Sequence, residues 1–194
     1  MLVVSLDAFE QYQRKEAWTW EHMALCRARP VFGSDAVRAE VAAMIESILR
    51  ISRDRTKVIA DAVKMRADME RHKPPKSALD VKLGPGGLVD LEFAIHVLQL
   101  TTHVGLDTRL EVALEALVAE SLVKANVVDA LKLLSRMLVM MRLVAPDDVK
   151  PTPETWQLVA EACGAGSWDE LLAEHEAARQ SIRQLWTTIK KGSS

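Results

Sequence analysis

The stretch from Val127 to Met141, VVDALKLLSRMLVMM, places Val127, Leu131, Leu134, Leu138 and Met141 at intervals of four, three, four and three. At 3.6 residues per turn such residues share one face, so the stretch is the seam of a packed helix. Toward the C-terminus, Pro151 and Pro153 delimit a loop, Thr152 caps a helix with Trp156 and Val159, and the segment Gly164 to Gly166 breaks it. Ser167 and Glu170 cap a last helix whose Leu171, Ala178, Ile182, Leu185, Trp186 and Ile189 form one face. Toward the N-terminus, Thr108 and Glu111 form a capping box for a helix with Leu110, Leu114, Leu117 and Val118. Before it, Val37, Val41, Met44, Ile45 and Ile48 follow helical spacing, which resumes through Ile59, Val63 and Met69 after a polar interval; one helix or two remain open. Lys73-Pro74-Pro75-Lys76 ends that pattern, since neither proline continues the backbone ladder.

The first helical stretch opens on Asp7 and Glu10, a capping-box-like pair, carries Phe9, Tyr12, Trp18 and Trp20, and stops at Pro30. The two tryptophans are either core or a partner-facing anchor, and the expectation is that at least one is buried. Met1 to Ser5 is a short apolar run with no partner strand beside it, read as the end of a strand whose sheet lies elsewhere. Ala78-Leu79-Asp80-Val81-Lys82-Leu83 alternates in the strand manner before Gly84-Pro85-Gly86-Gly87 and a new helix from Leu88. The expected fold is an all-α helical bundle of about six or seven helices with one short strand–glycine turn element.

Composition excludes several classes. The 194 residues are 49% hydrophobic and 27% charged, which suits a folded core and not a disordered chain. With 25 Lys+Arg against 27 Asp+Glu there is no cationic excess to neutralise a phosphate backbone, so no nucleic acid partner is expected. Cys26 and Cys163 match no metal-ligand spacing and no disulfide framework, and no apolar signal core opens the chain, so a cytoplasmic location is expected. The most apolar stretch, Leu131 to Val144, is interrupted by Ser135, Arg136 and Arg142 and is too short to span a bilayer.

The densest chemistry lies in Lys82-Leu-Gly84-Pro-Gly86-Gly87-Leu-Val-Asp90-Leu-Glu92-Phe93. Glycines before a helix let a ligand approach the backbone, and a helix N-terminus with Lys82 beside it suits phosphate; alternatively the glycines make a tight turn and nothing more. The motif is neither a P-loop nor a dinucleotide fingerprint. Asp90 and Glu92 point about 200° apart on a helix, which argues against a shared metal ion. Glu92, His96, Gln99 and His103 lie along one stripe, either lining a cleft or forming an interhelical hydrogen-bond network. Arg27 and Arg29 near a helix end compensate its dipole or clamp an anion.

The glycine block, together with Ala17-Trp-Thr-Trp-Glu-His22 and Arg27-Ala-Arg29, resembles the C-terminal part of bacterial glutamine-synthetase adenylyltransferase, the bifunctional adenylylating and deadenylylating enzyme of nitrogen regulation. The uridylyltransferases acting on the PII signalling protein share the general architecture but fit the Trp-Thr-Trp-Glu-His block less well. The resemblance implies that residues 1–5 are the remnant of a preceding nucleotidyltransferase domain and that 6–194 are a C-terminal helical domain. It implies Mg²⁺ and ATP as cofactors of the parent enzyme, and glutamine synthetase and PII as partners. No Asp-x-Asp pair occurs in the chain, so the metal-holding carboxylates of nucleotidyl transfer are missing and the segment alone is expected to be inactive. It is expected to wall the active-site cleft through Lys82, Gly84, Gly86, Gly87, Asp90 and Glu92, with Arg27 and Arg29 as further phosphate contacts; no catalytic or metal-ligating residue is expected. The alternative is a non-catalytic docking module for glutamine synthetase or PII. His96 stands where the family has glutamine, so no role is carried over to it.

Overall fold

A computed structural model describes residues 3–145 and 150–191. Among these residues it contains nine helices and no strand: α1 Leu6–Lys15, α2 Thr19–Leu25, α3 Asp35–Leu49, α4 Arg55–His72, α5 Leu88–Thr102, α6 Leu110–Ala119, α7 Asn126–Val144, α8 Pro153–Cys163 and α9 Trp168–Lys191. The all-α class holds, with two or three more helices than the pattern implied.

Extra helices arise where polar side chains cut apolar periodicity. Ser5, not the Asp7–Glu10 pair, caps α1 by accepting from the Ala8 amide. The first stretch then divides, because the Glu21 carboxylate reaches back to the Trp18 amide at 2.8 Å and opens α2 there. Between α3 and α4, Arg53 donates to the carbonyls of Ile48, Leu49 and Ile51 at 2.7–2.8 Å, while Asp54 accepts from the Thr56 and Lys57 amides. One closes α3 and the other starts α4, so there are two helices. Arg109, not Thr108, is the N-cap of α6. Val3 to Ser5 pairs with no strand; Met1 and Leu2 lie outside the described residues.

The C-terminal half follows its periodicity closely. Gly164, at φ +94°, closes α8, and Ser167 accepts from the Glu170 amide as Glu170 accepts from Gly166. The inner face of α9 buries Leu171, Ala178, Ile182, Leu185, Trp186 and Ile189 against α7, α8 and α5. At the centre lies α5, buried from Leu88 to Leu100 except at Glu92, as an all-round apolar helix must be. Phe93 meets Trp186 edge to face at 6.4 Å.

The N-terminal helices are covered far less. α1 buries only Gln13 and α3 only Ile48 and Leu49. Trp18 and Trp20 are 70% and 52% exposed, so the expectation that at least one is core fails. Trp18 is the N-cap residue of α2, and the helix turns Met23 and Leu25 inward instead.

On the inner face of α9, His175 is buried with Nε2 unpartnered, and burial, reinforced by Arg179, pushes its pKa down to about 4. The unfolded chain binds that proton near pH 6.5, so the native state is favoured above this value and loses stability as pH falls toward 4. The loss expected from this group is about 2–3 kcal/mol. Urea unfolding at pH 7.5 and 4.5 should show it, and His175→Gln should flatten the difference; an equally steep dependence in the variant would remove His175 as the cause.

Candidate functional site

The segment from Asp80 to Glu92 is built by one carboxylate that bends the chain. Asp80 Oδ1 accepts from the amides of Lys82 and Leu83 at 3.0 and 2.8 Å, and its carbonyl accepts from Gly84. These bonds curl residues 78–87 into successive turns, so the expected strand at Ala78–Leu83 is absent: the local side-chain acceptor outcompetes extension. The amides of Gly87, Leu88 and Val89 then donate to the carbonyls of Gly84, Val81 and Lys82 at 2.8–3.1 Å. The Gly86 amide donates to Asp90 Oδ2 at 2.6 Å. With these amides committed inside the chain, the turn presents no open amide cradle to a phosphate.

The glycines are required by what surrounds them. Gly86 has φ +78°, and a Cβ there would lie 2.3 Å from the Arg179 carbonyl oxygen. At Gly87 it would lie 2.7–2.9 Å from three carbonyl oxygens. Gly84 is buried beside them. From α9, Arg179 donates to the Pro85 and Ala78 carbonyls at 2.9 and 3.2 Å, and Arg183 donates to Pro85 at 3.4 Å.

Asp90 is fastened from the other side. Arg66 on α4 donates Nε to Asp90 Oδ1 at 2.5 Å and Nη2 to the Leu83 carbonyl at 2.9 Å, with both side chains of the ion pair 8% exposed. Glu92 faces elsewhere, half-buried and 3.2 Å from Arg27 after α2. The structure thus brings Arg27 to Glu92 and sends Asp90 to Arg66. Lys82 and Arg29 are exposed and take no ion pair among the described residues.

One turn beyond Glu92, the stripe becomes an internal network. Gln99 Nε2 donates to the carbonyls of Gly105 and Asp107, which fixes its Oε1 toward His96 Nδ1 at 2.8 Å. The network assigns the proton to Nδ1, and burial lowers the His96 pKa, keeping the ring neutral. His103 is the left-handed C-cap residue of α5, at φ 59°.

Sequence reasoning missed Arg66, Arg179 and Arg183. Arg66 had a signal, for it sits three residues after Val63 and three before Met69 on the apolar stripe of α4. A charge at that register needs a buried partner. Nothing local marks Arg179, 93 residues after the Gly86 it covers.

Among the described residues, no three His, Cys, Asp or Glu converge to hold a metal ion. Asp90 and Glu92 are each committed to an arginine, and the Asp80 carboxylate to the amides of the turn. The residues present therefore do not fit Mg²⁺.

A family model described as GlnD PII-uridylyltransferase matches residues 59–189, and one described as glutamate-ammonia ligase adenylyltransferase matches residues 1–44. Among curated proteins, the bifunctional glutamine synthetase adenylyltransferase/adenylyl-removing enzyme of Rhizobium meliloti is 39% identical over 95% of the chain, and that of Caulobacter vibrioides 36% over 98%. The Mesorhizobium japonicum enzyme of the same name is 50% identical over 54% of the chain. The matched stretches cover 10–20% of these relatives' own length.

Proposed function

The chain belongs to the family described as GlnD PII-uridylyltransferase and resembles the bifunctional glutamine synthetase adenylyltransferase/adenylyl-removing enzymes over nearly its whole length; on that premise we propose that it is the helical domain beside a nucleotidyltransferase core, walling the cleft in which an adenylyl group is moved on and off glutamine synthetase. One observation carries this. Of the thirteen exposed large apolar residues among those described, nine lie between Val3 and Val37, the segment matched by the adenylyltransferase model. Among them Phe32 is 92% exposed. Such a concentration is what a domain exposes when its neighbour is removed.

On this proposal the glycine turn is scaffold and the side chains around it do the work. Gly84, Gly86, Gly87 and Asp90 hold the N-terminus of α5 in place, so that Lys82, Arg29 and the Arg27–Glu92 pair face the cleft. ATP supplies the adenylyl group when bound; Lys82 and the two arginines would neutralise its phosphates, and the Mg²⁺ carboxylates belong to the neighbouring core. The setting is cytoplasmic, and among the described residues no helix is long and apolar enough to cross a membrane. In the second proposal the same apolar surface docks glutamine synthetase or PII directly.

The tryptophans provide the test. Trp18→Ala and Trp20→Ala should each change the stability of the 194-residue chain by less than about 1 kcal/mol, whereas buried Trp186→Ala should cost about 3–5 kcal/mol. In a full-length enzyme carrying this segment, the Trp18 and Trp20 variants should impair adenylyl transfer by loosening the core. Unimpaired transfer with both would contradict the cleft-wall placement. Saturable binding of glutamine synthetase to the isolated chain, lost in the same variants, would favour docking.

A further inference from the structure

Between α9 and the connection from α6 to α7 lies a cleft of about 460 Å³, lined among others by Val118, Leu122, Leu185, Gln184 and Thr188. It runs into a second concavity of about 510 Å³ bordered by Lys124, Arg183 and Lys191. The two share Lys124, Gln184 and Thr188, so they form one groove with an apolar end and a cationic end. No carboxylate lines either part, in a chain where acids outnumber bases by 27 to 25. Arg183 is held by Glu176 and by the Pro85 carbonyl, but Lys124 and Lys191 have no ion pair among the described residues.

We propose that this groove binds a small organic anion, an apolar body carrying one phosphate or carboxylate, with Lys124 and Lys191 neutralising the head and Leu122 and Leu185 covering the body. The charge distribution selects the head: unpaired ammonium groups beside a low-dielectric wall attract an anion more strongly than they would in open water. The apolar floor selects the body, since covering Leu122, 39% exposed, removes apolar surface from water. The Gln184 side-chain amide supplies a donor that orients the ligand, while the Ser181 and Thr188 hydroxyls donate to the Ala177 and Gln184 carbonyls. The proposal does not rest on the adenylyltransferase function. Arg183 touches both the groove and Pro85, so occupancy has a route to the glycine turn.

The test uses the 194-residue chain with labelled methyl groups and three probes of one shape: phenyl phosphate, benzoate and phenol. At least one of the two anions should shift the Val118, Leu122 and Leu185 methyls saturably in the millimolar range, and phenol should not. Comparing the two anions tells a phosphate head from a carboxylate head. Lys124→Gln combined with Lys191→Gln should weaken binding about tenfold or more without moving the unfolding midpoint, and Leu122→Asn should weaken it as well. Failure of both anions to saturate below about 10 mM would overturn the proposal. So would unchanged affinity in the double lysine variant, or shifts confined to other faces.

Discussion

Gly86→Ala should cost about 4 kcal/mol or more and leave much of the chain unfolded at modest urea concentration. Two physical effects add at this position. A side chain at φ +78° carries strain of about 1–2 kcal/mol by itself. The larger effect is steric, because the new Cβ falls 2.3 Å from the Arg179 carbonyl oxygen and 2.9 Å from Arg183 Cγ. A backbone carbonyl in mid-helix cannot swing away, so the turn must lift off α9, breaking the Arg179 bonds to Pro85 and Ala78 and displacing the Gly86 amide from Asp90. Against a typical total of about 5–15 kcal/mol, that is a large share. Gly33→Ala is the control: its φ is +114°, but the nearest atom is a Val37 methyl at 3.4 Å, so strain alone should cost about 1–2 kcal/mol. Equal costs for the two substitutions would show that conformation, and not the close approach of α9, governs Gly86.

Asp90→Asn should lower stability by about 3–5 kcal/mol, because it leaves the Arg66 guanidinium buried beside a neutral partner. Read from the sequence as a first-turn acid, Asp90 is worth only the helix-dipole contribution of about 0.3–1 kcal/mol. The structure replaces that expectation: the carboxylate is 8% exposed and joins α4, the glycine turn and α5 through Arg66 and the Gly86 amide. Arg66→Met should cost a similar amount. The double variant Asp90→Leu with Arg66→Met should recover much of the loss, since an apolar pair needs no desolvation of charge. Urea midpoints of the parent, Asp90→Leu, Arg66→Met and the double variant give the coupling; additive losses would mean that the pair does not act as a unit.

The helices with strong one-sided periodicity were legible from sequence, as α7 and α9 illustrate, and so were the stops at Pro74 and Gly164. Segments decided by side chains bonding to the backbone were not. Leu79, Val81 and Leu83 alternate as a strand would, yet the Asp80 carboxylate captures two amides and coils them. Trp18 and Trp20 look like core because hydrophobicity alone does not distinguish a core residue from an exposed one. For the candidate site, the positions of Lys82, Arg27 and Glu92 could be picked out, but the inward orientation of the glycine amides and of Asp90 depends on α4 and α9. Arg66 is 24 residues from its partner and Arg183 is 98 residues from Pro85. Distances in sequence of that size carry no periodic signal.

If the glycine turn is scaffold and its outward side chains face the catalytic core, function and folding separate at Lys82. Lys82 is exposed and Lys82→Ala disturbs no hydrogen bond of the turn, so the unfolding midpoint should stay within about 0.5 kcal/mol of the parent. The decisive measurement is the rate of adenylyl transfer to glutamine synthetase, and of its removal, by a full-length enzyme carrying Lys82→Ala. At least one of the two rates should fall about tenfold or more. Parental rates in both directions would contradict the placement of this face in the cleft.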